Sequence, residues 1–92
     1  MTEEMAETVA LQALAWLVAD QELVDVFLGR TGASIEDLRA NAGSRETSMA
    51  VLDFLVMNDA WVEAVSTAQG WGHETVLTAR AVLLGEAGMQ WT

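Results

Sequence analysis

The chain lacks cysteine and proline altogether, and each absence bears on the structures or functions that are possible for it. Without cysteine it has no disulfide bonds, no thiolate metal site and no cysteine nucleophile. Without proline, and with 52% hydrophobic residues rich in alanine and leucine, it favours helices throughout. We expect an all-α fold, a compact bundle of about six helices forming a single domain over 1–92, with a helical core over 1–85 and a C-terminal tail over 86–92.

Basic residues are also scarce, because the four that occur are all arginines and face fourteen acidic ones, for a net charge of −10. Such a chain offers no basic patch to nucleic acid or to an anionic membrane surface. Its longest apolar stretch, 9–19, is too short to cross a bilayer. Its acidic N-terminus lacks the basic segment of a secretory signal. We therefore expect a cytoplasmic protein that binds neither nucleic acid nor membrane.

Capping residues and glycines divide the chain into six predicted helices. Thr2 and Asp20 are expected to cap the first two, and Ser34 to form a capping box with Asp37 at the third. The predicted ranges are 2–19, 20–28, 34–42, 45–57, 58–69 and 73–84. The glycines expected to end the second, third, fifth and sixth helices are Gly29, Gly43, Gly70 and Gly85.

An internal repeat emerges when the chain is shifted by 38 residues, because the halves then align without a gap. Asp20 falls on Asn58, both good helix caps, and Gly32 falls on Gly70. The alignment predicts two pseudo-equivalent three-helix halves. The long first and fourth helices are apolar nearly all round, so we expect them to pack together centrally near a pseudo-two-fold axis, covered by the shorter helices. Alternatively, one apolar face is left for a dimer partner.

Five segments carry a resemblance to a known family: ETVALQALAWL (7–17), TGASIEDLR (31–39), VLDFL (51–55), NDAWV (58–62) and QWT (90–92). They resemble an uncharacterised alphaproteobacterial family of short helical proteins, a domain of unknown function. That family usually has a proline before the fourth helix and near the C-terminal tail, where this chain has SRET (44–47) and GEAG (85–88). The resemblance implies an all-α fold and supplies no activity, substrate or catalytic residue.

Residues with catalytic potential are few. His73 is the only histidine, which excludes a multi-histidine metal site. It is either a general base assisted by Glu74 or Ser44, or a solvent-facing residue without a catalytic role. The segment 70–72, Gly-Trp-Gly, precedes a helix as anion-binding loops do, but a simple helix-ending turn explains it better. Asp53 lies within an apolar run and is expected to face solvent or to pair with an arginine. We expect no cofactor and no metal.

Four tryptophans are many for 92 residues. Trp16 and Trp61 follow the apolar pattern and are expected in the core. Aromatic side chains are favoured interface anchors, so Trp71 in its glycine turn, with Met89 and Trp91 in the tail, are the candidate partner-binding residues. Docking of both tryptophans on the domain's own surface is the competing interpretation.

The sequence favours a non-catalytic protein-interaction module or small regulator that binds a protein partner or a second copy of itself through a helical groove and the Trp91 tail. Two alternatives stay open. One is an acidic nucleic-acid mimic that binds a basic protein, which fits the net charge of −10. The other is a small enzyme that uses His73 with nearby carboxylates.

Overall fold

A computed structural model of the chain describes residues 1–85, and all regular structure within that range is helical. The six helices are α1 (Glu3–Val18), α2 (Gln21–Thr31), α3 (Ile35–Ala40), α4 (Arg45–Val56), α5 (Asp59–Gln69) and α6 (Thr75–Leu84). The all-α class expected from composition and periodicity is confirmed. None of these helices combines the length and the apolar character needed to cross a bilayer.

A polar side chain caps the start of each of the first five helices by accepting a hydrogen bond from a backbone N–H of the first turn. These capping bonds satisfy donors that have no partner inside the helix. The predicted capping box is present, with both the Ser34 and the Asp37 side chains engaged. At α6 the capping residue, Glu74, makes no side-chain hydrogen bond. The five capping residues are Thr2, Asp20, Ser34, Ser44 and Asn58.

The predicted end of the second helix at Gly29 is wrong. The helix α2 continues through Gly29 to Thr31 and ends at Gly32, where φ is 74°. That left-handed backbone suits glycine, which has no Cβ to collide with the following carbonyl. Gly70 and Gly85 end α5 and α6 in the same conformation, as predicted.

Two other boundaries differ from the predicted ranges by two residues, and the rest agree within one residue. The helix α3 ends at Ala40 rather than at 42, because Asn41 leaves the helical conformation and its side-chain amide donates to the Asp37 carbonyl. The helix α6 starts at Thr75 rather than at His73, since the turn after Gly70 takes up the residues in between. Both are differences of about two residues, the usual uncertainty of a helix end.

The buried apolar side chains form one cluster to which every helix contributes. Phe54 of α4 packs edge-on against Phe27 of α2, with ring centres 5.2 Å apart, and stacks on Trp61 of α5 at 4.5 Å. Trp16 and Trp61, both expected in the core, are partly buried and pack against this cluster. The largest contributions come from α1 and α4, through Val9, Leu14, Leu17, Val51, Leu52 and Leu55.

The centre of the fold contains three helices rather than two. As predicted, α1 and α4 pack against each other. However, α6 packs against both of them, and its contact with α1 is the most extensive between any two helices of residues 1–85. The expectation that all shorter helices form a polar-sided cover is therefore wrong for α6. Its sequence, TVLTARAVLL, explains the central place, because apolar residues occur on most of its circumference.

Arg45 joins the ends of these three helices. It lies in the first turn of α4 and forms an ion pair with Glu3 in the first turn of α1. Its Nη1 also donates to the Leu83 carbonyl at 2.6 Å, near the end of α6, where carbonyls lack intrahelical partners. These bonds offset the unfavourable interaction of a cation with the positive end of the α4 dipole.

The predicted repeat has a partial counterpart in the helix boundaries. A shift of 38 residues places α2 on α5 from end to end, and it places the last residue of α1, Val18, on Val56, the last of α4. The third helices do not correspond, since 35–40 would fall on 73–78 whereas α6 is Thr75–Leu84. The repeat and its axis stay predictions.

Candidate functional site

An apolar groove of about 810 Å³ lies between α1, α2 and the segment that begins with α3. The helix α1 lines it with Leu11, Leu14, Ala15 and Val18, a spacing of i, i+3, i+4 and i+7 that places side chains on one helix face. The same spacing recurs from Gln21 on α2, and again from Ile35 of α3 to Ala42, which lies just past the end of α3. Three helical stripes therefore face one open space.

Large apolar side chains remain in contact with solvent around this groove. Leu11, Val18 and Ile35 keep 49%, 40% and 41% of their surface exposed. The buried side chains beneath them belong to Leu14, Val24 and Leu38. A continuous apolar patch of this kind is costly to leave in water, which distinguishes it from single exposed apolar residues.

Two charged side chains, Asp25 and Arg39, also line the groove. The Asp25 carboxylate accepts a hydrogen bond from Gln21 Nε2 at 3.2 Å. Arg39 forms no ion pair within residues 1–85. The groove is thus apolar along its length, with one charge of each sign at its surface.

A smaller cavity of about 320 Å³ continues the groove, and Leu11 and Ala42 line both. On α1 it is lined by Glu4, Glu7 and Thr8, which reach Leu11 with the same helical spacing. We call the two carboxylates Glu4 and Glu7 the acidic extension of the groove. Both side chains are exposed.

The predicted partner-binding residues lie elsewhere. Trp71 is partly buried, packs against the core cluster and does not line the groove. Its backbone N–H donates to the Ser66 carbonyl at 2.8 Å in the turn that ends α5. Met89 and Trp91 lie outside the described residues. The binding role of all three stays a prediction.

The groups considered for catalysis form no hydrogen bond or ion pair with one another within residues 1–85. His73 is exposed and makes no hydrogen bond there, whereas the Ser44 hydroxyl bonds to Thr47 at the start of α4. Asp53 is exposed and also paired, with Arg80 Nε 2.5 Å from its Oδ1, so both expectations for it hold. No three His, Asp or Glu side chains of the described range are grouped closely enough to hold a metal ion.

A comparison with protein-family models identifies the family of this chain. A family described as "Protein of unknown function (DUF3572)" matches residues 3–86, which include all six helices. The chain belongs to the DUF3572 family. No curated protein and no solved structure matches this DUF3572 protein. The resemblance to a domain of unknown function is confirmed, and the match brings no activity with it.

The sequence interpretation of this DUF3572 chain expected a helical groove but did not identify the residues that line it. A signal was present, since side chains spaced i, i+3, i+4 and i+7 occur on α1, on α2 and from Ile35 of α3 to Ala42 just past its end. Leu11 and Ile35 are among the apolar members. The same stripes equally predict faces that pack on one another in the core. Only the arrangement of the helices distinguishes a filled contact from an open groove.

Proposed function

We propose that this DUF3572 protein is a non-catalytic protein-interaction module, a single domain over 1–92 whose groove binds an amphipathic helix of a partner protein. The observation that carries the proposal is the convergence of three helical stripes on one open space, with Leu11, Val18 and Ile35 exposed around it. A fourth helix placed there would bury these side chains, as in other helix-in-groove complexes. The proposal includes a cytoplasmic location.

The size of the groove supports a short helix as the occupant. The apolar stripe of α1 from Leu11 to Val18 spans two turns, about 10 Å at 1.5 Å per residue. A partner helix with apolar side chains at i, i+3, i+4 and i+7 matches this length. Because the contact is only two turns long, we expect it to bury less than the roughly 1,200 Å² at the low end of stable interfaces. We therefore expect a micromolar dissociation constant, as for a weak, transient complex.

The test uses a neutral designed peptide, a stapled helix of about 18 residues with one leucine stripe and glutamine and alanine elsewhere. Binding to the full chain is measured by fluorescence anisotropy. Leu11→Gln combined with Ile35→Gln should weaken binding about tenfold or more, because each exchange places a polar amide against the apolar peptide face. Leucine and glutamine have similar helix propensities, so the effect on α1 itself is small.

The matched control is Leu77→Gln on α6, where leucine is 54% exposed and lies outside the groove. It should bind the peptide as the unmodified chain does. Equal binding by the groove variant and the unmodified chain would refute the proposed function. Met89→Gln combined with Trp91→Gln, and separately Trp71→Phe, tests in the same assay whether the predicted aromatic and tail contacts take part.

A further inference from the structure

The side of α1 that faces the groove is acidic near the start of the helix and apolar further along. Glu4, Glu7 and Thr8 line the smaller cavity, and the apolar stripe from Leu11 to Val18 lines the larger one. From Glu4 to Val18 this face covers fourteen residues' rise, about 21 Å. A helix lying along it therefore passes from an acidic half to an apolar half.

The acidic extension has no cation of its own within residues 1–85. Neither Glu4 nor Glu7 forms an ion pair there. Two of the chain's arginines are engaged elsewhere, Arg45 by Glu3 and Arg80 by Asp53. Two exposed like charges one helical turn apart repel each other, and a cation from outside would relieve that repulsion.

We infer that the occupant of the groove is a cationic amphipathic helix, whose lysine or arginine side chains lie opposite Glu4 and Glu7 while its apolar side chains fill the groove. The inference rests on the proposed function. The net charge of −10 supports it, because a field of one sign attracts a cationic partner and speeds its association. A second copy of the chain is disfavoured as occupant, because it brings the same net charge and no lysine.

The positions of the partner's charges follow from the geometry of α1. Glu7 lies about one turn, and Glu4 about two turns, before Leu11. The partner's cations therefore belong one to two turns beyond its last apolar anchor, at the end lying over the start of α1. The groove leaves open whether the partner runs parallel or antiparallel to α1, so either its N-terminal or its C-terminal end carries them.

The experiment compares the neutral peptide with two charged versions, which carry lysines in place of glutamines at the N-terminal or at the C-terminal two turns. One of the two lysine peptides should bind the full chain roughly 3- to 10-fold more tightly than the neutral peptide at about 0.1 M salt. The advantage should largely vanish at about 1 M salt, where screening shortens the range of the attraction.

Glu4→Gln combined with Glu7→Gln should abolish that advantage. The control is Glu63→Gln combined with Glu74→Gln, which removes the same charge from two exposed sites outside the groove and its extension, one of them also at a helix start. The control should keep the advantage. An equal loss in both double variants would mean that net charge alone attracts the peptide, and it would overturn the inference.

The remaining outcomes separate the inference from the proposed function. Equal binding of neutral and lysine peptides, with Leu11 and Ile35 still required, would overturn the inference and leave the interaction groove standing. Failure of all three peptides to bind would overturn both. A dimer seen by light scattering and dissociated by Leu11→Gln with Ile35→Gln would mean that a second copy fills the groove, which would also overturn the inference.

Discussion

The start of α3 shows how two neighbouring side chains define a helix end. Ser34 Oγ accepts from the Asp37 backbone N–H at 3.1 Å, and Asp37 Oδ2 accepts from the Ser34 backbone N–H at 3.0 Å. These reciprocal bonds satisfy donors that would otherwise face the open end of the helix. The backbone N–H of Ser34, and to a smaller extent its hydroxyl, stabilise the charged carboxylate and hold the pKa of Asp37 below its ordinary value of 3.8.

This pKa predicts how the capping box responds to acid. Because the pKa of Asp37 is lower in the folded chain than in the unfolded one, its stabilising effect is complete above the unfolded-state value. It is lost as the pH falls through the folded-state value. An NMR titration of the Asp37 carboxyl carbon should give a midpoint below 3.8. A midpoint at or above that value would contradict the geometry.

The variant Ser34→Ala tests which group lowers that pKa. It removes the hydroxyl but keeps the backbone N–H, which is the larger cause. We therefore expect the pKa of Asp37 to rise only part of the way to its ordinary value.

At the scale of the helix, two glycines have opposite roles in α2, one inside the helix and one just past its end. Gly29 lies inside the helix, and an added Cβ would meet nothing within 4 Å. Gly32 also has open space around it, but its φ of 74° is a backbone conformation that other residues rarely adopt. Both positions thus have room for a Cβ, and the two glycines differ only in their backbone conformation.

We expect Gly29→Ala to raise the free energy of unfolding by about 0.5–1 kcal/mol, because alanine loses less backbone entropy in a helix. Gly32→Ala should lower it by about 1 kcal/mol, because the left-handed conformation strains a residue with a Cβ. Urea unfolding of the two single variants measures both values. Shifts of the same sign would contradict the assigned end of α2.

The starts of the first five helices and most of the helix ends were predictable because their causes are local. A capping side chain bonds to a backbone group two or three residues away, and a left-handed glycine acts on its own turn. The prediction failed at Gly29 because a glycine inside a helix costs only about 1 kcal/mol, which favourable packing outweighs. Phe27 and Leu28, beside Gly29, pack in and against the core.

At the scale of the whole molecule, residues of the same type in similar sequence surroundings differ in burial. Leu11 and Leu17 occupy the same helix and the same apolar run. Leu17 is fully buried, whereas Leu11 is 49% exposed at the groove. The difference arises because α4 and α6 pack against α1 within the core, while the groove side of α1 stays open.

We expect Leu17→Ala to lower the free energy of unfolding by about 2–5 kcal/mol, because it removes buried methyl groups and leaves a cavity. Leu11→Ala should cost less than about 1 kcal/mol, since half of that side chain already contacts water. Thermal and urea unfolding of the two variants supply the comparison. Similar losses for both would mean that the groove is filled in the isolated protein.

By itself, the sequence determined the all-α class, the capping residues Thr2, Asp20 and Ser34, and the family to which the chain belongs. These follow from composition, periodicity and bonds spanning a few residues, none of which requires knowing where distant segments lie. Only the tertiary structure decided that α6 is central, that Arg45 bonds to a carbonyl 38 residues away, and that α1, α2 and α3 enclose an open groove. The physical reason is that an apolar helix face can pack against any apolar neighbour. Which neighbour it contacts, or whether it stays exposed, is therefore determined only when the helices pack together.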